Sequence, residues 1–165
     1  MMRGTPLTRA AAYGAAAAAF GYAAVSLYWA AGGTAGLSTV GGVAQTMART
    51  GGVAAAAGIA AIVLLKTAGG LLALAMVMPW GQRLPRRALS TAGLAGSALL
   101  IVYGAVQVAG EALAETGAVT PSAPDWTALR WHLALWDPWF LVWGLLVAAA
   151  TWGYRQSGRQ VTNPA

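Results

Sequence analysis

Lys66 stands between Ile62-Val63-Leu64-Leu65 and Gly69-Gly70-Leu71-Leu72, near the middle of a long apolar run. Inside a bilayer, a charge at that depth costs about 2.5–3.5 kcal/mol even on a lenient insertion scale. An amine so placed faces the interior of a bundle. There it either holds a structural ion pair or handles a ligand, an ion or a proton. Snorkelling to the interface is awkward, because about 12 residues, or roughly 18 Å, separate Lys66 from either end of the run. The acids it is expected to reach are Glu111 and Asp137.

Asp137 lies in Trp136-Asp137-Pro138-Trp139. One reading is an acid held among tryptophans. The other is architectural: Asp before Pro is a good helix start, with Asp137 as N-cap and Pro138 in the first turn. On that reading Trp126–Trp136 is a separate short helix in the interface, with Asp125 as its own cap. Glu111 ends a stripe of polar groups, Tyr103, Gln107 and Glu111, that share one helix face at four-residue spacing. Glu115 continues the stripe into solvent. His132 is the single histidine. One histidine makes no metal or haem site alone, so no metal and no cofactor are expected. On an α-helix His132 is offset from Asp137, five residues on.

The aromatic residues divide in two. Trp80, Trp126, Trp131 and Trp152 fall where interfacial belts are expected. Tyr28, Trp29, Trp136, Trp139 and Trp143 gather near the acids and are expected to line a pocket with π faces. Such faces stabilise cations by about 0.5–2 kcal/mol. Other chemistries find no footing. Cysteine is absent, which excludes disulfides, thiolate metal sites and cysteine nucleophiles. The glycine pairs at 32–33, 41–42, 51–52 and 69–70 lack the strand and helix that a phosphate loop needs. Ser26, Ser38, Ser90 and Ser97 have no His or acid nearby in sequence.

The elements that must position these residues follow from composition. Of 165 residues, 58% are hydrophobic and 8% charged, with mean hydropathy +0.61. A soluble domain carries roughly 25% charged residues. The chain therefore reads as an all-α integral membrane protein, a single domain over 1–165. A span needs about 20 apolar residues, and helices alone satisfy their own backbone in lipid. Four segments qualify, at about 10–31, 52–78, 89–112 and 131–154. The first is too long for a signal-peptide core and ends in bulky Leu27-Tyr28-Trp29, so it is read as retained. Gly14 and Ala18 are spaced for close helix contact. Arg3, Arg9, Arg83, Arg86, Arg87, Arg155 and Arg159 fall on one side of a four-span chain, against Arg49 and Arg130 on the other. The positive-inside rule then makes both termini cytoplasmic. The net charge of +6 is read as this topology signal, not as nucleic-acid binding.

Three stretches together resemble a known family. They are Tyr28-Trp29-Ala30-Ala31-Gly32-Gly33-Thr34, Lys66 with Pro79-Trp80-Gly81 and Pro85, and Trp131-His132-Leu133-Ala134-Leu135-Trp136-Asp137-Pro138-Trp139-Phe140. The pattern is similar to DUF3995, small bacterial, largely actinobacterial, membrane proteins. The resemblance implies four spans and a bacterial plasma membrane. It implies no reaction.

Three functions stay open from the residues. The first is a non-enzymatic protein that binds a lipid or lipophilic small molecule, or serves as a helper subunit to a partner membrane protein. The second is a membrane cyclase that protonates an isoprenoid with Asp137 or Glu111. The third is a transporter or proton-coupled channel built from dimers, with Lys66 as the gating charge. On each reading Lys66, Tyr103, Gln107, Glu111 and Asp137 are expected to converge.

Overall fold

The computed structural model describes residues 4–120 and 125–162. Arg3 lies outside them, as does the side chain of Arg159. Six α-helices occur among the described residues, and no strand: α1 (Pro6–Ala30), α2 (Gly42–Thr50), α3 (Val53–Ala75), α4 (Arg86–Glu115), α5 (Trp126–Trp131) and α6 (Asp137–Thr162). Helices α1, α3 and α4, and the continuous run Trp126–Ser157, are long and apolar enough to cross a membrane. The protein is a multi-pass helical membrane protein.

Helix ends follow local chemistry. The side chain of Thr5 accepts the Thr8 N–H at 3.2 Å, and Pro6 occupies the first turn. That cap starts α1 earlier than the hydropathy run alone suggests. Helix α4 begins directly after Pro85 and ends at Glu115. Glu111 therefore lies within the helix, one turn from its end. Pro79–Arg83 forms a 3₁₀ turn between α3 and α4, and Gly81 sits against the Ala75 carbonyl, where no side chain fits.

The spans pack in the order α3, α1, α6, α4. Helix α6 lies between α1 and α4. Helices α3 and α4, joined by a short hairpin, pack mainly on α1 and α6 respectively. The core has three layers. Ala11, Ala12, Ala75, Met76, Leu89, Ala150 and Tyr154 fill the end that carries the termini. Ala15, Ala19, Ala73, Trp143 and Val147 fill the middle. Tyr22, Trp29, Leu37 and Trp136 fill the opposite end, called here the loop end. Small residues let backbones close up where lipid supplies no hydrophobic drive. At Gly104 an added Cβ would lie 2.8 Å from the Leu141 nitrogen and 3.0 Å from the Asp137 carbonyl. The absence of that atom seats α4 directly on the Asp137 turn of α6.

The start of the last span departs from expectation. Asp125 does cap α5, accepting from Thr127 and Ala128 N–H at 3.1 Å each. The expected break at Asp137 does not occur. A π-helical turn, His132–Trp136, joins α5 to α6, and the Asp137 N–H bonds to the His132 carbonyl. Asp137 has helical dihedrals (φ −86°, ψ −35°), so it is not an N-cap. The reason lies in Pro138. Its ring crowds the carbonyl four residues back and it offers no N–H. A wide turn opens that carbonyl row, so the helix passes the proline without ending.

Candidate functional site

The π turn decides where His132 points. On an α-helix, positions five apart differ by about 140° around the axis. Bonding from i+5 to i instead brings Asp137 over His132, and His132 Nδ1 lies 2.8 Å from Asp137 Oδ2. Glu111 Oε1, from α4, lies 3.7 Å from the same nitrogen. The other ring nitrogen, Nε2, is 2.9 Å from the Val40 carbonyl. A carbonyl only accepts, so Nε2 carries a hydrogen and donates it. Gly41 places that carbonyl. Its φ of +58° is left-handed, and a Cβ there would lie 2.7 Å from the Ala128 methyl of α5.

The cluster is deep. Asp137 is 0% exposed. Its Oδ1, and Oε2 of Glu111, are buried without a hydrogen-bond partner. His132 Nδ1 and one oxygen from each acid lie within 4.8 Å of one another, so the three side chains form a donor set able to hold a cation. The expectation of no metal rested on counting histidines; the fold adds two carboxylates to the one present. Around the cluster, Tyr103 packs edge-on against Phe140 at 5.0 Å and is 44% exposed. Gln107 is half-buried one turn nearer Glu111. Glu115 is not simply solvated: its Oε1 accepts from Arg130 Nε at 3.1 Å.

Lys66 does not join this cluster. Its Nζ donates to Ser26 Oγ at 2.8 Å and lies 3.4 Å from the centroid of the Tyr22 ring. Among the described residues it makes no ion pair, so the expected carboxylate partner is replaced by a hydroxyl and a π face. Helix order explains this. Helix α3 packs mainly on α1, away from α4 and the start of α6 that carry the acids, and the lean of its side chains toward its N-terminus brings Lys66 to the last turns of α1. Tyr22 is itself held by aromatic rings. Trp136 stacks on it at 5.6 Å, and Trp139 and Phe140 tilt against it at 5.5 and 4.9 Å. In the sequence Tyr22 carries no distinguishing feature and Ser26 reads only as a serine without His or acid nearby. Their signal is the four-residue spacing on one face of α1, which α1 shares with most of its neighbours.

The five aromatic candidates do not form one pocket. Trp29 is buried, edge-on to Trp136 at 5.6 Å, and donates to the Ala35 carbonyl at 2.9 Å. Trp136 donates to Thr39 Oγ1 at 3.1 Å, and Trp139 to the Ala18 carbonyl at 3.1 Å. Trp143 sits lower, in the middle layer, against Gly69. Tyr28 lies outside the cluster. It is half exposed, folds over Gly33, and its hydroxyl accepts the Ala35 N–H at 3.3 Å. Three indole N–H groups thus find acceptors inside the bundle, a loop carbonyl, a threonine hydroxyl and a carbonyl of α1, whereas Trp143 Nε1 is buried without one.

Among the described residues, surface depressions flank the bundle, and three of them are well formed. An apolar groove of about 540 Å³ lies between the loop ends of α1, α2 and α3, lined by Leu27, Trp29, Met47, Ala56, Ile59, Val63 and their neighbours. A cleft of about 410 Å³ carries Gly32, Thr34, Ser38 and Arg49. A shallow groove between α1 and the start of α6 includes Gly14, Pro138 and Trp139. Glu111, His132 and Asp137 line none of the three. Acid-initiated cyclisation needs an acid that opens onto an apolar pocket, and this arrangement gives it no support.

Among curated proteins and among solved structures, nothing matches the chain. A family model described as Protein of unknown function (DUF3995) matches residues 19–147, a stretch that contains Lys66, the π turn and all three members of the cluster. The chain is thus a member of the DUF3995 family.

Proposed function

We propose that the protein is a non-enzymatic membrane protein that holds an anionic lipid in the groove between α1, α2 and α3. The observation that carries this reading is the groove itself. Its volume lies within the range of about 300–1,000 Å³ typical of ligand sites, and its lining is apolar from Leu27 to Leu64. The adjoining cleft supplies a headgroup position. Arg49 lines it, lies in the sequence between the groove residues Met47 and Gly51, and makes no ion pair among the described residues. A guanidinium is suited to a phosphate, which it can bind through two N–H groups. The arginine distribution supports a placement in a bacterial plasma membrane with both termini cytoplasmic.

The test is lipid analysis of the protein in native nanodiscs, with thermal unfolding read on the same samples. One anionic lipid class is expected to be enriched over the bulk membrane. Ala56→Trp, which fills the groove, is expected to abolish the enrichment, and Arg49→Gln to remove the headgroup preference. Neither is expected to lower stability, since both residues are exposed. Lipid composition equal to bulk in the wild type overturns the reading.

A further inference from the structure

We propose that Glu111, His132 and Asp137 form a binding site for a divalent metal ion. The argument begins with what each side chain offers. His132 Nε2 already donates to the Val40 carbonyl, so the neutral ring presents its Nδ1 lone pair to the two carboxylates. Glu111 and Asp137, when ionised, only accept. With the ring neutral and both acids ionised, three acceptors therefore converge; a protonated ring would instead donate from Nδ1 to Asp137 Oδ2 at 2.8 Å, and a metal ion takes the place of that proton. The two buried oxygens without partners, Asp137 Oδ1 and Glu111 Oε2, show the same deficit from the other side. Asp137 has no access to water at 0% exposure. A cation resolves all of these at once.

The spacing fits. Ligand atoms about 2.0–2.2 Å from one ion stand about 3.0–3.5 Å from each other in octahedral or tetrahedral geometry. The observed distances from Nδ1 are 2.8 and 3.7 Å, and the whole set falls within 4.8 Å. The outer contacts fit as well. A metal-binding imidazole usually gives its second N–H to a carbonyl or carboxylate, which fixes the ring. Here Val40 does so, held by the left-handed turn at Gly41. The ligands stand on α4, the π turn and the first residue of α6, not on a free loop. One nitrogen and two carboxylate oxygens, with no sulfur, suit Zn²⁺ or Mn²⁺ rather than Cu⁺. His132 is a quarter exposed at the loop end, which leaves a way in. The site is separate from the lipid groove, and neither proposal depends on the other.

The experiment uses the whole chain with a tag that lacks histidine, in detergent, stripped with chelator and then titrated with Zn²⁺ or Mn²⁺ alone. One ion per chain is expected by calorimetry. Glu111→Gln and Asp137→Asn are expected to weaken binding at least tenfold, and Glu115→Gln, one turn away, to leave it unchanged. With Mn²⁺ bound, electron spin resonance is expected to report coupling to one imidazole nitrogen, lost in His132→Gln. Should Asp137→Asn fail to fold, Glu111→Gln keeps the shape of a half-buried side chain and carries the test. Folded wild type that binds no stoichiometric ion overturns the proposal, and would mean that a shared proton bridges the acids. Glu111→Gln binding as tightly as wild type, or bound Mn²⁺ without nitrogen coupling, overturns it too.

Discussion

Lys66 brings an amine into the bundle with a phenol ring and a hydroxyl as partners. Such contacts are weak beside a buried ion pair. A cation over a ring is worth about 0.5–2 kcal/mol, whereas breaking a buried ion pair costs about 3–5 kcal/mol. Lys66→Met is therefore expected to leave stability unchanged or to raise it. Tyr22→Leu is expected to cost about 2 kcal/mol through lost packing. Its cost should fall by about 0.5–2 kcal/mol in the Lys66→Met background, because the pair is then already broken. Equilibrium unfolding of the four proteins in mixed detergent measures this. A loss above about 3 kcal/mol in Lys66→Met alone would point to a carboxylate partner instead. That Lys66 turns inward was legible from its depth in an apolar run. Its partner was not, because hydropathy ranks residues by charge and says nothing of which ring lies opposite.

At the scale of elements, hydropathy located the four spans but not their junctions. The π turn has no composition signal of its own. It arises because Pro138 must be accommodated inside a continuous helix, and the same Asp-Pro pair reads equally well as a helix start. His132 and Asp137 therefore looked offset in the sequence and meet in the fold. The other half of the cluster depends on how closely α4 approaches α6, and that is set at Gly104. Gly104→Ala is expected to destabilise by about 1–3 kcal/mol, since the new methyl meets the Leu141 and Asp137 backbone, which cannot yield as a side chain can. Gly96→Ala, on the same helix but facing open space, is expected to be neutral or to stabilise by up to about 1 kcal/mol. Thermal unfolding of the two variants side by side separates helix contact from helix propensity. Equal effects would remove Gly104 from the account of the site.

For the whole molecule, the number of spans was legible and their order was not. Apolar faces on four helices are interchangeable in lipid, and neighbours are chosen by close contacts between small residues and by hydrogen bonds such as Trp139 to Ala18 and Lys66 to Ser26. The inferred orientation is directly testable because the sequence has no cysteine. Single substitutions Ser38→Cys and Gln82→Cys place one thiol at each end of the bundle. A membrane-impermeant maleimide is expected to label Ser38→Cys in intact cells, and Gln82→Cys only after lysis; the reverse pattern would invert the topology. The order α3, α1, α6, α4 has a temporal side. Helix α6 is made after the other three, yet α1 and α4 both pack on it. Until it arrives, Glu111 has neither His132 nor Asp137, and Gly104 has no helix to close upon. A nascent chain halted before Trp126 can therefore close the seam between α1 and α3 while α4 still lacks its main partner, so completion of the last span is the moment at which the two halves of the bundle join.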